Sequence, residues 1–95
     1  MKLYSLKCKS LKIYNTPFVC SDDGHAVSIV REAVRQGNDS GLVSNIEDLS
    51  LFCLGEFDSK EGLQRVRPKQ VIDLVSIPGI LNLVKEAVEK VNVES

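Results

Sequence analysis

The chain has no tryptophan, one histidine and one methionine, and only 5% of its 95 residues are aromatic. Tyr4, Tyr14, Phe18, Phe52 and Phe57 are the aromatic set, so Val, Leu and Ile must supply most of any core. A lone His25 brings no partner for a histidine-based triad or metal site, and it reads as an exposed residue in the first turn of a helix. Cys8, Cys20 and Cys53 are odd in number and contain no C-x-x-C pair, which argues against a disulfide scaffold or a zinc knuckle. Free thiols suit a reducing cytosol. Cys53 lies in the most apolar stretch and reads as packing rather than as a nucleophile. No run approaches the ~18 apolar residues of a membrane span. The N-terminal lysines are not followed by the roughly 7–15-residue apolar run of a secretory signal. P-loop, G-x-G-x-x-G and G-x-S-x-G patterns are missing. Glu56, Asp58 and Glu61 crowd one turn without the strict alternation of a calcium loop. Asp22 and Asp23 precede a helical run, where acids act as caps. The expectation is therefore no enzyme, no cofactor and no metal.

What is present is ordinary globular material. Hydrophobic residues make up 43% and charged residues 26%. Such a length suits one domain, residues 1–95, with 77–93 as a C-terminal helical extension. Net charge is −1, but it is unevenly spread. Residues 1–21 hold Lys2, Lys7, Lys9 and Lys12 with no acid, and residues 62–72 hold Arg65, Arg67 and Lys69 with no acid. If these two stretches lie side by side, they form a local positive patch on a nearly neutral protein.

Residues 2–8 read as a strand, and 11–20 as a second, with Lys9–Ser10 as a hairpin joint. Pro17 has no N–H to give and belongs at a sheet edge or a bend. Residues 23–36 read as a helix capped by Asp22 or Asp23 and stopped by Gly37, with Ala26, Val27, Val30, Ala33 and Val34 on one face. Residues 37–48 read as a polar loop. In 49–57, Leu49, Leu51, Cys53 and Phe57 alternate with Phe52 and Leu54, so a central strand buried on both faces is expected, with Leu51, Phe52 and Leu54 in the core. A short fourth strand from Leu63 to Arg67 should end at Pro68, with a helical turn over 69–76. A second helix should start near Pro78 with Ser76 as its cap, and Leu81, Val84, Val88 and Val91 should form its packing stripe. The fold class is α+β, an antiparallel sheet of about four strands in the order β-β-α-β-β, with one main helix packed on it and a C-terminal helix.

Two segments are more specific. One is Tyr14-Asn15-Thr16-Pro17-Phe18; the other runs Glu47-Asp48-Leu49-Ser50-Leu51-Phe52-Cys53-Leu54-Gly55-Glu56-Phe57-Asp58. With the Lys-Leu-Tyr-Ser strand before them and a helix between, they resemble the small non-structural protein of gokushoviruses, the single-stranded DNA phages of the Microviridae that include the Chlamydia phages. The resemblance covers roughly residues 1–60, and the chain departs from the pattern after residue 66. It implies a non-capsid protein made in the cytoplasm of the infected bacterium. It also implies a DNA-binding role in bringing the single-stranded genome into the procapsid. No catalytic residues come with it.

Two functions from different classes follow. In the first, single-stranded DNA lies on Lys7, Lys9 and Lys12 around the first hairpin and on Arg65, Arg67 and Lys69, which strand alternation puts on one face. Tyr4 and Tyr14 lie in the neighbouring hairpin, where an exposed ring could stack on a base. Three basic residues at strand spacing also describe the wet side of any sheet. In the second, the chain is an interaction module that binds itself as a homodimer, or binds a host or viral protein. Ile80, Leu83 and Ala87 would form an uncovered apolar strip beside the packing stripe of the C-terminal helix.

Overall fold

The computed structural model describes residues 1–37 and 40–94, with side chains for all of these except Ser40, Arg65 and 90–94. Strand β1 (Lys2–Cys8) is flanked on one side by β4 (Leu49–Asp58), which pairs along its whole length. On its other side lie two short strands in succession, β2 (Ile13–Tyr14) and β3 (Phe18–Cys20). β5 (Gly62–Asp73) pairs with the far edge of β4. All pairings are antiparallel, so the sheet has the expected α+β character with five strands.

The division of β2 from β3 follows from Pro17. The ladder opens over Asn15-Thr16-Pro17, on the outer edge of β1, where a missing N–H costs nothing. Asn15 stays tethered: its N–H donates to the Leu6 carbonyl at 2.8 Å, and its carbonyl accepts from Ser5 Oγ at 2.6 Å.

Pro68 does not end the fourth strand. β5 runs on to Asp73, and only 74–76 form the expected turn, as a 3-10 segment. Proline is tolerated because β5 is an edge strand and because the register slips there: Cys53 faces Lys69 while Gly55 faces Arg65. The expected loop over 37–48 contains a short helix, α2 (Ser40–Ser44), and a 3-10 turn, Ile46–Asp48, which bury Leu42 and Ile46.

Helix α1 (Asp23–Gln36) forms as the sequence leads one to expect. The Asp22 side chain accepts from the His25 N–H at 2.8 Å, and Gly37 closes the helix with φ of 66°. Its buried line is Ala26, Val30 and Val34. Helix α3 (Ile80–Glu94) packs against α1, and a Cβ placed on Gly37 would stand 3.2 Å from Ala87 Cβ. Ser76 ends the preceding 3-10 turn rather than capping α3.

The face of α3 that turns inward is not the expected one. Ile80 and Ala87 are buried, Leu83 and Val84 are half-buried, and Leu81 and Val88 are 57% and 46% exposed. Ile80, Leu83 and Ala87 therefore complete the chain's own core instead of forming an uncovered strip. The cause is the close approach at Gly37, which only a small side chain such as Ala87 permits. Val91 lies outside the residues whose side chains are described.

Both long helices lie on one side of the sheet. The core joins Tyr4, Leu6 and Cys8 of β1 and Leu49, Leu51 and Cys53 of β4 to Ala26, Val30 and Val34 of α1 and to Leu74, Ile77 and Ile80. Tyr4 is fully buried, stacks on Phe18, and donates its hydroxyl to Asp23 at 2.6 Å. Burial, with the Asp23 carboxylate adding to it, pushes that phenol well above its ordinary pKa. Among the described residues, no helix lies over the other side of the sheet. Phe52 and Leu54 are only half-buried, because the second cover anticipated for the central strand goes to the first face instead. A bulge where Leu3 faces Gly55 and Tyr4 faces Cys53 also breaks the alternation of β4, and Phe57 ends up 44% exposed. No helix among the described residues is long and apolar enough to cross a membrane.

Candidate nucleic-acid interface

Alternation along β1 sends Tyr4, Leu6 and Cys8 toward the helices, and Leu3, Ser5 and Lys7 toward the open face. Residues directly opposite across an antiparallel pair share a face. Lys7 faces Tyr14 on one side and Ser50 on the other, Ser50 faces Asp73, and Ser5 faces Phe52, which faces Gln70. The open face therefore carries Tyr14, Lys7, Ser50 and Asp73 in one row and Ser5, Phe52 and Gln70 in the next.

These rows make a built surface. The Tyr14 and Phe52 rings meet edge to face, centroids 5.8 Å apart at 85°. The Lys7 ammonium stands over both, 5.3 Å from the Tyr14 centroid and 5.4 Å from that of Phe52. Tyr14 is 37% exposed. Ser5 and Ser50 beneath them are fully buried, and the buried hydroxyls are satisfied by the Asn15 carbonyl and by Asp73 Oδ1. Asp73 Oδ1 also accepts from Gln70 Nε2 at 3.2 Å and lies 3.6 Å from Lys9 Nζ. The Ser50 hydroxyl, with Lys9 beside it, holds the Asp73 carboxyl below the usual carboxylate range.

The sequence-predicted binding residues divide unevenly. Lys7 and Tyr14 come together. Lys9 stands one step away, engaged with Asp73. Lys12 sits in the turn between β1 and β2 with φ of 57°, its N–H donating to the Cys8 carbonyl at 2.8 Å. Arg65, Arg67 and Lys69 are on β5, and β4 separates them from the first hairpin, so the two basic stretches do not lie side by side. The register also slips here, with 66–68 against Leu54 alone between the paired Arg65 and Lys69. Arg67 and Lys69 are exposed along the sheet edge, and the side chain of Arg65 lies outside the described set.

Sequence reasoning missed Phe52, Asp73 and Gln70. Phe52 sits in a run of apolar residues and looks like core; only the position of both helices on the opposite face leaves it half-buried. Asp73 and Gln70 fell in a stretch read as helical. The remaining candidates stay local. His25 is exposed, with its Nδ1 3.2 Å from Ser21 Oγ. Cys8 Sγ donates to Asp48 Oδ2 at 2.8 Å and, with Ser10, draws the Asp48 carboxyl down. Burial pushes the Cys20 thiol up. Among the described residues no group of three His, Cys, Asp or Glu could hold a metal ion. A groove of about 830 Å³ opens between α1 and the β2 edge, where Leu11, Ile13 and Ile29 are exposed around it.

A family model described as "Phage ORF5 protein" matches residues 1–77, which takes in the whole sheet and α1 and stops short of α3. Neither a curated protein nor a solved structure matches the chain.

Proposed function

Because the chain belongs to the Phage ORF5 protein family, we propose that it is a non-structural phage protein that binds single-stranded DNA on the open face of its sheet. It acts by binding rather than catalysis, in the cytoplasm of the infected bacterium, and helps to bring a single-stranded genome of the Microviridae type into the procapsid. One observation carries this reading: an exposed Tyr14 ring and a half-buried Phe52 ring share a lysine ammonium on a sheet face without helical cover. Unpaired bases stack on such rings whatever their sequence, and lysines beside them meet the phosphates. The ammonium of Lys7 leaves the rings for a phosphate as a base takes its place. Lys9 and Lys12 at the hairpin end continue the positive track, and Arg67 and Lys69 supply a second one along the β5 edge.

The test is a titration of a fluorescent single-stranded oligonucleotide at two salt concentrations. Binding that weakens steeply with salt, and is lost in Lys7→Glu with the fold intact by circular dichroism, is the expected result. Salt-independent binding, or unchanged affinity in that variant, removes the open face from the argument.

A second reading, an interaction module that forms a homodimer or takes up a host or viral protein, is favoured by the apolar side chains left exposed. Leu11, Ile13 and Ile29 surround the groove, and Leu81 stands on the outer side of α3. Light scattering separates the two readings: a mass near 10.5 kDa with DNA affinity supports the first, and a stable dimer without it supports the second.

A further inference from the structure

Beside the aromatic rings, the open face has an edge where two acceptor groups are held side by side. Three donors converge on a single oxygen of Asp73: the Ser50 hydroxyl, Gln70 Nε2 and Lys9 Nζ all address Oδ1. None of them addresses Oδ2. The Ser50 hydroxyl, with Lys9 beside it, holds the Asp73 carboxyl below the usual carboxylate range, and a carboxylate accepts but does not donate. That settles the orientation of Gln70. Its NH₂ must face the carboxylate, which leaves the amide Oε1 as the group it offers outward. Two acceptors, Gln70 Oε1 and Asp73 Oδ2, are thus fixed next to each other by a buried serine and a lysine.

Their position relative to the rings gives them a use. Gln70 is the direct cross-strand partner of Phe52, and Asp73 is the partner of Ser50, two residues along the same face of β4. Direct partners stand about 5 Å apart, and although the register shifts at Val71 between the two pairs, the Gln70–Asp73 hydrogen bond keeps both side chains beside Phe52. A base stacked on Phe52, with its sugar toward Lys7, has its pairing edge over Gln70 and Asp73. Building on the single-stranded DNA reading above, we propose that Gln70 and Asp73 make this site selective for bases with an exocyclic amino group, cytosine first, over thymine. Cytosine N4 presents two N–H donors to the acceptors, as carboxylates accept from this group elsewhere. Thymine places a carbonyl oxygen at the equivalent point, where the two acceptors repel it and the nearest donors, Lys9 Nζ and Gln70 Nε2, are already turned to Asp73 Oδ1.

The test compares oligo(dC) with oligo(dT) of equal length by fluorescence anisotropy at mildly alkaline pH, where cytosine stays unprotonated. The wild-type chain should bind oligo(dC) roughly tenfold more tightly, a size expected for one good set of base-edge hydrogen bonds. Asp73→Asn keeps an oxygen for Ser50 and puts an NH₂ where Oδ2 was, so the preference should shrink or reverse. Gln70→Leu, at an exposed position, gives the same readout without touching the buried serine, and it decides the matter if the asparagine variant fails to fold. Equal or tighter binding of oligo(dT) by the wild type overturns the assignment while leaving single-stranded DNA binding intact. A cytosine preference that survives in both variants overturns it too. Failure to bind either oligomer overturns the functional reading itself, and this inference with it.

Discussion

The two faces of this sheet are built from the same strands, yet residue by residue they do opposite work. Leu51 and Phe52 are neighbours on β4. Leu51 is fully buried beneath α1 and α3, whereas Phe52 turns to the other side and shares a lysine with Tyr14. On the covered face, apolar side chains interlock with two helices. On the open face Leu3 and Leu54 are half-buried beside aromatic and cationic groups, and the fully buried side chains are small and polar: Ser5 and Ser50, each with its hydroxyl satisfied. Satisfied hydroxyls let the strands pack closely there without burying an unpaired polar group, and the rings and the acid lie above them.

The contrast can be tested most severely by truncating the two neighbours. Leu51→Ala should cost about 2–5 kcal/mol in a denaturant melt, because it opens a cavity in a filled core. Phe52→Ala should cost less, since that side chain is only partly buried and lies outside the filled core. Equal losses would mean that the second face is also covered in solution, by a partner or by another copy.

Ligand affinity should show the reverse asymmetry. Tyr14→Ala leaves the core untouched and should weaken binding of single-stranded DNA by about 1–3 kcal/mol, the worth of one stacked base. Leu51→Ala, at a temperature where it remains folded, should leave that affinity nearly unchanged. A Tyr14 variant that binds DNA normally would break the comparison from the functional side.

The smallest effect concerns acid. Asp73 has a depressed folded-state pKa, so its contribution to stability is complete above the ordinary aspartate pKa and fades as pH falls through the depressed value. The melting temperature of the wild-type chain should therefore drop through the acid range, and Asp73→Asn should flatten part of that drop. A variant with the wild-type acid profile would show that the Ser50 and Lys9 contacts do not persist in solution.

Helix α1 was legible to the residue, because a capping aspartate, a 3-4 apolar line and a terminal glycine act within a few residues of one another. The interruption at Pro17 was legible for the same kind of reason. β5 was misread at Pro68, since whether a proline stops a strand depends on which edge of the sheet it occupies. The candidate surface was half legible. Lys7 and Tyr14 stood out by type, but Phe52 looked like any core aromatic, and Gln70 and Asp73 had no visible link to it across 18 or more residues of chain.

From its residues alone, this chain determined its class and its local elements: an α+β domain with a hairpin start, one well-capped helix and a strongly apolar central strand. Local propensity and periodicity are sums over neighbouring residues, and they need no tertiary partner. Which face of the sheet the helices cover was decided only in three dimensions. α3 docks beside α1 because Gly37 and Ala87 allow the two backbones to approach closely, and that one docking buries Ile80, exposes Leu81 and leaves Phe52 uncovered. The sequence pattern of a strand that is apolar on both sides is the same whether its second face meets a helix, a partner or a nucleic acid, and only the packing of the rest of the chain tells them apart.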